Sequence, residues 1–433
     1  IIKSQNRDKD MFSLMVMIGA AESCRNLTDY DKSIAFFKQA IELRSRLLEK
    51  NHIDYIITLN NLAMTYVLNK DFENAIKTHK EVRDTVKVLM GENHDFYAQA
   101  LNSLGDDYCE SGDFKTGLEY HLKALEIRKN VLGEHHSYYA LGLISVADAY
   151  CRAKDRKNCE IYYKKALNLR KERFGEETAD YVESLMALAN MHYESEEYSD
   201  AEILFQKALE TRERLFDRKD EDYAINLKYL ALSQAKQGKN DEAIINSKKS
   251  LEAIEFVYGL KHPLYSNGLN NLGEIQNIVG DYCGAVESYK KAVNLRKEFF
   301  GENNKEFEIS KNSLDNSLKL LNNKISQINE LNENIDFIKK AKKAIEFSGN
   351  IETTEYVNIL ERLSEFYMEQ KNVDEAINTL KYCIVLGKRI ENFDEKRMIK
   401  NIETLALFLD SNERYIDAVE YFSELALMVE KVY

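Results

Sequence analysis

The chain has 433 residues with one proline, Pro263, and 17 glycines, so little of it can be turn-rich sheet, and its length exceeds what one globular core organises. Its 60 basic residues face 73 acidic ones, and a formal net charge of -13 repels phosphate backbones, which argues against nucleic acid as a direct partner. Six cysteines (Cys24, Cys109, Cys151, Cys159, Cys283, Cys383) include no CxxC pair and fit reduced thiols in a cytoplasmic protein; no stretch is long enough to span a membrane.

The chain opens with a charged segment from Lys3 to Asp10 and a short apolar run to Ala21, the outline of a secretory signal. Met17, Ala20 and Ala21 nevertheless fall where later repeats place core residues, so the segment reads as a first helix. The sequence starts without an initiator Met and stops at Tyr433 inside a helical pattern, and a piece of something longer is expected.

From there one pattern recurs. Marks at Asp29, Asp71, Asp113, Asp155, Glu197, Lys239 and Asp281 stand 42 residues apart. Four residues after each mark sits a small or compact residue (Ser33, Ala75, Gly117, Cys159, Ala201, Ala243, Ala285), and eleven after it another (Ala40, Val82, Ala124, Ala166, Ala208, Ser250, Ala292). Before the marks come pairs such as Leu62-Ala63, Leu104-Gly105, Leu188-Ala189, Leu230-Ala231 and Leu272-Gly273, each with a leucine three residues earlier. Spacings of three and four are helical, so each repeat predicts helix A, a turn at the mark and helix B. The small residues let neighbouring helices approach, and stacking makes the core.

After Gly301 the register breaks. A long polar helix is expected from about Lys305 to Leu331, and Lys343-Ala-Ile-Glu346 echoes helix B of a drifted repeat. The pattern returns at Asn372-Val-Asp-Glu-Ala-Ile377 and again at Arg414-Tyr-Ile-Asp-Ala-Val419. The expected organisation is seven regular repeats in 1–303, a degenerate eighth repeat forming an irregular joint in 304–350 and two further repeats in 351–433, about nine repeats in all.

No repeated residue spells catalysis. His52, His94, His136 and His262 recur 23 residues after a mark, in different inter-repeat loops at least roughly 10 Å apart. That is too far to share a metal, so they read as loop caps; His79 and His121 read as helix B packing residues. Cys159 holds a small-residue position and Cys24 a core one, while Cys109 and Cys151 share one phase in adjacent repeats. Those two are expected to face the A-helix groove, too far apart to bridge. No phosphate loop, dinucleotide fingerprint or nucleophile elbow occurs, and no cofactor is expected. Tyr55, Tyr97, Tyr139, Tyr181, Tyr223 and Tyr265 open successive A helices and read as staples between repeats.

The Leu/Gly-Ala/Tyr pattern followed by paired alanines resembles the tetratricopeptide repeat. Gly91-Glu-Asn-His94, Leu101-Asn-Ser-Leu-Gly105, His262-Pro263 and Leu269-Asn-Asn-Leu-Gly273 resemble its 42-residue kinesin light chain type. The resemblance implies an all-α, right-handed superhelical solenoid with a concave groove lined by helix A. The groove residues it implies are Asn60, Asn61 and Met64; Gln99, Asn102, Asp106 and Glu110; Asp148 and Arg152; Glu183, Asn190, Tyr193 and Glu194; Lys228 and Lys236; and Asn267, Asn270, Asn271 and Glu274. Amides at such positions suit an extended peptide backbone, since each offers donor and acceptor. The acidic run in the third to fifth repeats, with lysines in the sixth, points to a ligand with basic residues centrally and an acidic one toward the sixth repeat. Kinesin light chains favour cargo with acidic residues around a tryptophan, and this groove departs from that.

The leading expectation is thus a non-catalytic protein-interaction scaffold. A second is the regulatory arm of a larger assembly, such as a bacterial caspase-like CHAT protease or a nucleotide-switch ATPase. A third, a peptide-pheromone receptor, would bring a DNA-binding helix-turn-helix that the sequence does not show.

Overall fold

The computed structural model describes residues 2–27, 29–47, 52–216, 220–327 and 331–432. Among them the secondary structure is helix alone, arranged as ten successive hairpins. They are α1 (Ile2–Asn26) with α2 (Tyr30–Leu47), α3 (Ile53–Leu68) with α4 (Phe72–Met90), α5 (Asp95–Glu110) with α6 (Phe114–Leu132), α7 (Ser137–Arg152) with α8 (Arg156–Phe174), and α9 (Ala179–Glu194) with α10 (Tyr198–Leu215). The second half holds α11 (Glu221–Lys236) with α12 (Asn240–Tyr258), α13 (Pro263–Ile278) with α14 (Tyr282–Phe300), α15 (Lys305–Ser326) with α16 (Leu331–Ser348), α17 (Thr354–Glu369) with α18 (Val373–Arg389), and α19 (Glu395–Ser411) with α20 (Tyr415–Val432).

Two compact units divide the chain, Ile1–Asp217 and Arg218–Tyr433. In each, helices pack chiefly on their sequence neighbours. The ten hairpins compare with about nine expected repeats, and residues 304–350, where a degenerate repeat is expected, contain the hairpin of α15 with α16. Its first helix ends at Ser326, short of Leu331, and residues 328–330 of the expected span lie outside the described residues. This hairpin is unlike the rest: α16 rests on α14 and α17 and barely meets α15.

The marks turn out to be N-caps of helix B. Asp71, Asp113, Asp155 and Asp281 accept hydrogen bonds from the backbone N–H of Asn74, Thr116, Asn158 and Gly284, satisfying donors that a helix start leaves open. Glu197 and Lys239 make no such side-chain bond. The residue before the mark is left-handed, as Gly112 (φ 92°) and Gly280 (φ 83°) permit; Lys70 (φ 58°), Lys154 (φ 61°) and Glu196 (φ 61°) adopt it with a side chain.

The histidines cap the other helix. His52, His94, His136 and His262 are N-caps of α3, α5, α7 and α13, each accepting through Nδ1 from the N–H two residues on, at 3.1 to 3.2 Å. His94→Ala leaves the Phe96 N–H without its acceptor and costs about 1 kcal/mol. The expected result is faster amide hydrogen exchange confined to the first turn of α5.

Between the hairpins the small-residue positions carry the stack. Ala75, Ala124, Ala166, Ala208, Ala243, Ala285 and Ala292 are fully buried, which lets helices approach at the short end of interaxial distances. Tyr55 and Tyr97 pack with Val82, Val86 and Leu101, and Tyr55 donates from its hydroxyl to Glu81 at 2.9 Å. Tyr181 is 2% exposed. Tyr55, Tyr97, Tyr181 and Tyr223 are thus buried in the stack as staples, while Tyr139 and Tyr265 are half-buried. Ala21 and Leu14 are buried against the α2 side of the first hairpin, so α1 is integral to the array.

Candidate functional site

The A helices of the first unit carry thirteen of the nineteen groove residues. On α3, Asn60 and Asn61 are half-buried and Met64 is exposed; on α5, Gln99, Asp106 and Glu110 are exposed while Asn102 is buried. On α7, Asp148 and Arg152 are exposed; on α9, Glu183 and Glu194 are exposed, with Asn190 and Tyr193 half-buried. Lys228, Lys236, Asn267, Asn270, Asn271 and Glu274 belong to α11 and α13 of the second unit.

In the first unit a polar seam underlies these positions. His79, 3% exposed, meets Asp107 Oδ2 through Nδ1 at 2.6 Å and Asn60 Oδ1 through Nε2 at 3.2 Å. One repeat later His121 meets Asn102 Oδ1 through Nδ1 at 3.2 Å, with Nε2 3.5 Å from Asp106. At the next equivalent place Tyr163 donates its hydroxyl to Asp148. Sequence reading took His79 and His121 as packing positions, passed over Tyr163, and missed that the three contact the amides and acids of the A helices. The signal was present, since all three stand eight residues after a mark.

The charges on this face are unequally balanced. Glu110 pairs with Arg152 at 2.7 Å and Glu183 with Arg170 at 3.0 Å. Asp106 and Asp148 make no ion pair with a described lysine or arginine. Burial among the A helices, then the negative charges of Asp148 and Asp107, push the Asp106 carboxyl up to about 7. Its side chain is nevertheless 71% exposed, so groove water screens part of that push. Burial also raises Asp148, with Tyr163 and Arg152 pulling it back. Burial, then the charges of Arg152 and Arg128, lower His121 to about 4, so it stands neutral beside Asp106 above that pH.

In the second unit the asparagines are tied into the stack. Asn267 accepts from Arg296 Nη2 at 2.5 Å, and Asn270 exchanges hydrogen bonds with Ser310 at 2.9 and 3.0 Å. Lys228 lies with its Nζ 5.2 Å from the centroid of the Tyr229 ring. These residues border a cleft of about 510 Å³ that includes Asn267, Asn270, Asn271, Ile254 and Tyr258. A second cleft, of about 240 Å³ and mostly apolar, lies in the first unit between α3 and α5.

Two cysteine expectations are corrected. Cys151 does not stand as a groove-facing thiol and Cys159 is not merely a small filler: the two are disulfide-bonded, with Cα atoms 5.2 Å apart. The sequence comparison set Cys151 against Cys109, one repeat away, whereas residues four before and four after a mark face each other across the hairpin turn. In the preceding hairpin that slot holds Cys109 against Gly117, where any Cβ would strike the Cys109 sulfur. Cys109 is accordingly buried rather than groove-facing. Cys24, Cys283 and Cys383 are free.

His192, Glu197 and Asp200 bring three donor atoms within 4.8 Å of one another. Glu197 there already accepts from Arg156 and lies 2.7 Å from His192 Nδ1, so the His192–Glu197 pair bridges the α9–α10 turn. No described helix is long and apolar enough to cross a membrane.

A family model described as tetratricopeptide repeat matches residues 12–87, 55–130, 96–157, 138–214 and 222–298. No curated protein matches the chain. Among solved structures, a putative kinesin light chain of Podosopora anserina is similar at 14% identity, covering 46% of this chain and 95% of that one with a TM-score of 0.39. BtubC (BKLC) from P. vanneervenii is similar at 17% identity, over 67% of this chain and 92% of that one, TM-score 0.35. A Rap protein complexed with competence and sporulation factor is similar at 14% identity, over 96% of this chain and 98% of that one, TM-score 0.43.

Proposed function

We propose, from the premise that the chain belongs to the tetratricopeptide repeat family, that it is a protein-interaction scaffold whose A-helix face in residues 1–217 holds an extended, cationic protein segment. Repeats of this kind expose a row of A helices while the B helices and small residues hold the stack together. What a partner meets is then set by the exposed A-helix side chains.

The observation that carries the cationic preference is the pair Asp106 and Asp148. Glu110 and Glu183 are matched by arginines, while these two acids face water and make no ion pair with a lysine or arginine among the described residues, and their mutual repulsion is relieved by a bound lysine or arginine. Asn60, held by His79, sits with its amide already oriented, so less side-chain freedom is lost when a peptide backbone binds. The same reasoning keeps the joint at 304–350 as the proposed change of register in the second unit, because α16 rests on α14.

A pH titration tests the reading. Between pH 6 and 8 Asp106 loses its proton, adding a negative charge to the face, while His121 is neutral throughout and Glu110 stays paired. Affinity for a lysine-rich peptide should therefore rise with pH, by about tenfold at most. Asp106→Asn should flatten the profile. A slope that persists in that variant, or one of opposite sign, rejects the assignment; fluorescence anisotropy at low salt gives the answer.

A further inference from the structure

One register of helix B holds arginine in five of the seven regular repeats. Fifteen residues after the mark stand Arg44, Val86, Arg128, Arg170, Arg212, Ile254 and Arg296. The arginines reach toward the A helices beside them. Arg44 donates to the Asp54 carbonyl and to Thr58 Oγ1 at 2.6 Å. Arg170 donates to the Asp180 carbonyl at 2.5 Å and Ser184 Oγ at 2.9 Å, and Arg296 to the Glu306 carbonyl at 2.6 Å. Arg128, whose facing residue is Gly142, pairs with Asp95 instead and keeps an unpartnered Nη1.

The two clefts described above are lined by the two residues that break this series, Val86 in one and Ile254 in the other. The facing positions are Ala100 and Gly268, which offer no hydroxyl to an arginine. The same exchange thus has the same consequence twice, in separate units.

We infer that the cleft beside Val86 is an anchor site for a bulky apolar side chain of the bound segment, opened because the second repeat lacks the arginine that closes this slot elsewhere. The inference rests on the proposed peptide-holding face and adds the ligand's chemistry to it. Ile53, Ile57, Met90 and Phe96 supply apolar walls, with Asn60 and Gln99 at the rim. Ile53, Ile57 and Phe96 are 39%, 51% and 45% exposed, an apolar surface that water covers poorly.

Charge fixes the occupant. Asp106 follows Gln99 by seven residues on α5, roughly 10 Å along the helix. An extended chain covers that distance in about three residues. The segment that fits carries a large apolar residue about three positions from a lysine or arginine, the cation reaching Asp106 and Asp148.

The test uses the full chain and two fluorescein-labelled peptides, GSWSGKKSG and its alanine counterpart GSASGKKSG. The wild-type protein should bind the tryptophan peptide at least about tenfold more tightly, the scale of one buried aromatic anchor. Val86→Arg should remove that advantage and leave the alanine peptide unchanged, while Ile254→Arg, in the other unit, should alter neither. Val86→Arg installs the residue that five other repeats carry, and Phe96 holds the register, ten residues on, at which Asp54 and Asp180 offer their carbonyls. Ile57→Ser, at a half-exposed wall, should lower tryptophan-peptide affinity several-fold without filling the core. Equal affinity for the two peptides, or Val86→Arg and Ile57→Ser both without effect, overturns the anchor. If the alanine peptide still binds in that case and is lost on reversing Asp106 and Asp148, the peptide-holding face stands without it. If neither peptide binds the wild-type chain, both readings fall.

Discussion

Asp106→Lys combined with Asp148→Lys abolishes binding of a cationic peptide, a loss of about a hundredfold or more at low salt. Two attractive charges become two repulsive ones, and each reversal near the surface is worth roughly 1 to 2 kcal/mol at separations of several ångströms. The effect is specific to these positions because Glu110 and Glu183 have arginine partners whereas Asp106 and Asp148 have none among the described residues. Raising the salt should shrink the difference, since the groups are exposed. Both residues face solvent, so the fold should tolerate the change. Tyr163 loses an acceptor, which makes the neutral pair Asp106→Asn with Asp148→Asn the companion variant, expected to weaken binding by an intermediate factor. Unchanged affinity in both variants at low ionic strength would falsify the cationic reading.

The second large effect is on stability. Arg170 is 2% exposed and ties α8 to α9 through the Asp180 carbonyl, Glu183 and Ser184. Arg170→Ala leaves that carbonyl and hydroxyl without their donor and opens a void, which should cost about 3 kcal/mol. The Glu183 carboxylate is largely exposed and adds little. An array of this kind need not unfold in one step, so the informative measurement is amide exchange. Protection in the first turns of α9 should fall about a hundredfold, with α3 and α4 unaffected. Arg170→Met, which keeps the volume, should show a smaller loss. Equal protection in wild type and Arg170→Ala would mean that the arginine adds nothing to this junction.

Much of this was legible in the sequence because a repeat states each physical requirement many times. The hairpins, the small-residue contacts and the capping histidines follow from registers that recur every 42 residues. What escaped notice was of another kind. Alignment by period compares residues that are equivalent, whereas Cys151 and Cys159 are residues that face each other. His79 and Asp107 escaped for the same reason, and the arginine series escaped because charged residues on a helix are usually solvated. The division between residues 217 and 218 falls inside the regular array, where the 42-residue pattern runs on undisturbed. After Gly301 the drifted sequence still announced two helices, but not that the second of them leans on α14, a contact that no local pattern encodes.

The near-neighbour character of the packing bears on how the chain acquires its structure. The principal contacts of a helix reach no further along the chain than the second helix beyond it, so contact order is low and loop closure costs little entropy at each step. A hairpin emerging from the ribosome finds its docking surface already made by the hairpin before it, and exposed apolar surface is confined to the growing end. The junction of α14 with α16 interrupts this sequence of events, because α14 receives α15 first and must keep a second side open until α16 is made. Elongation rate should matter there more than at any regular junction, and a nascent chain paused near residue 330 would present the unfilled side of α14 to chaperones.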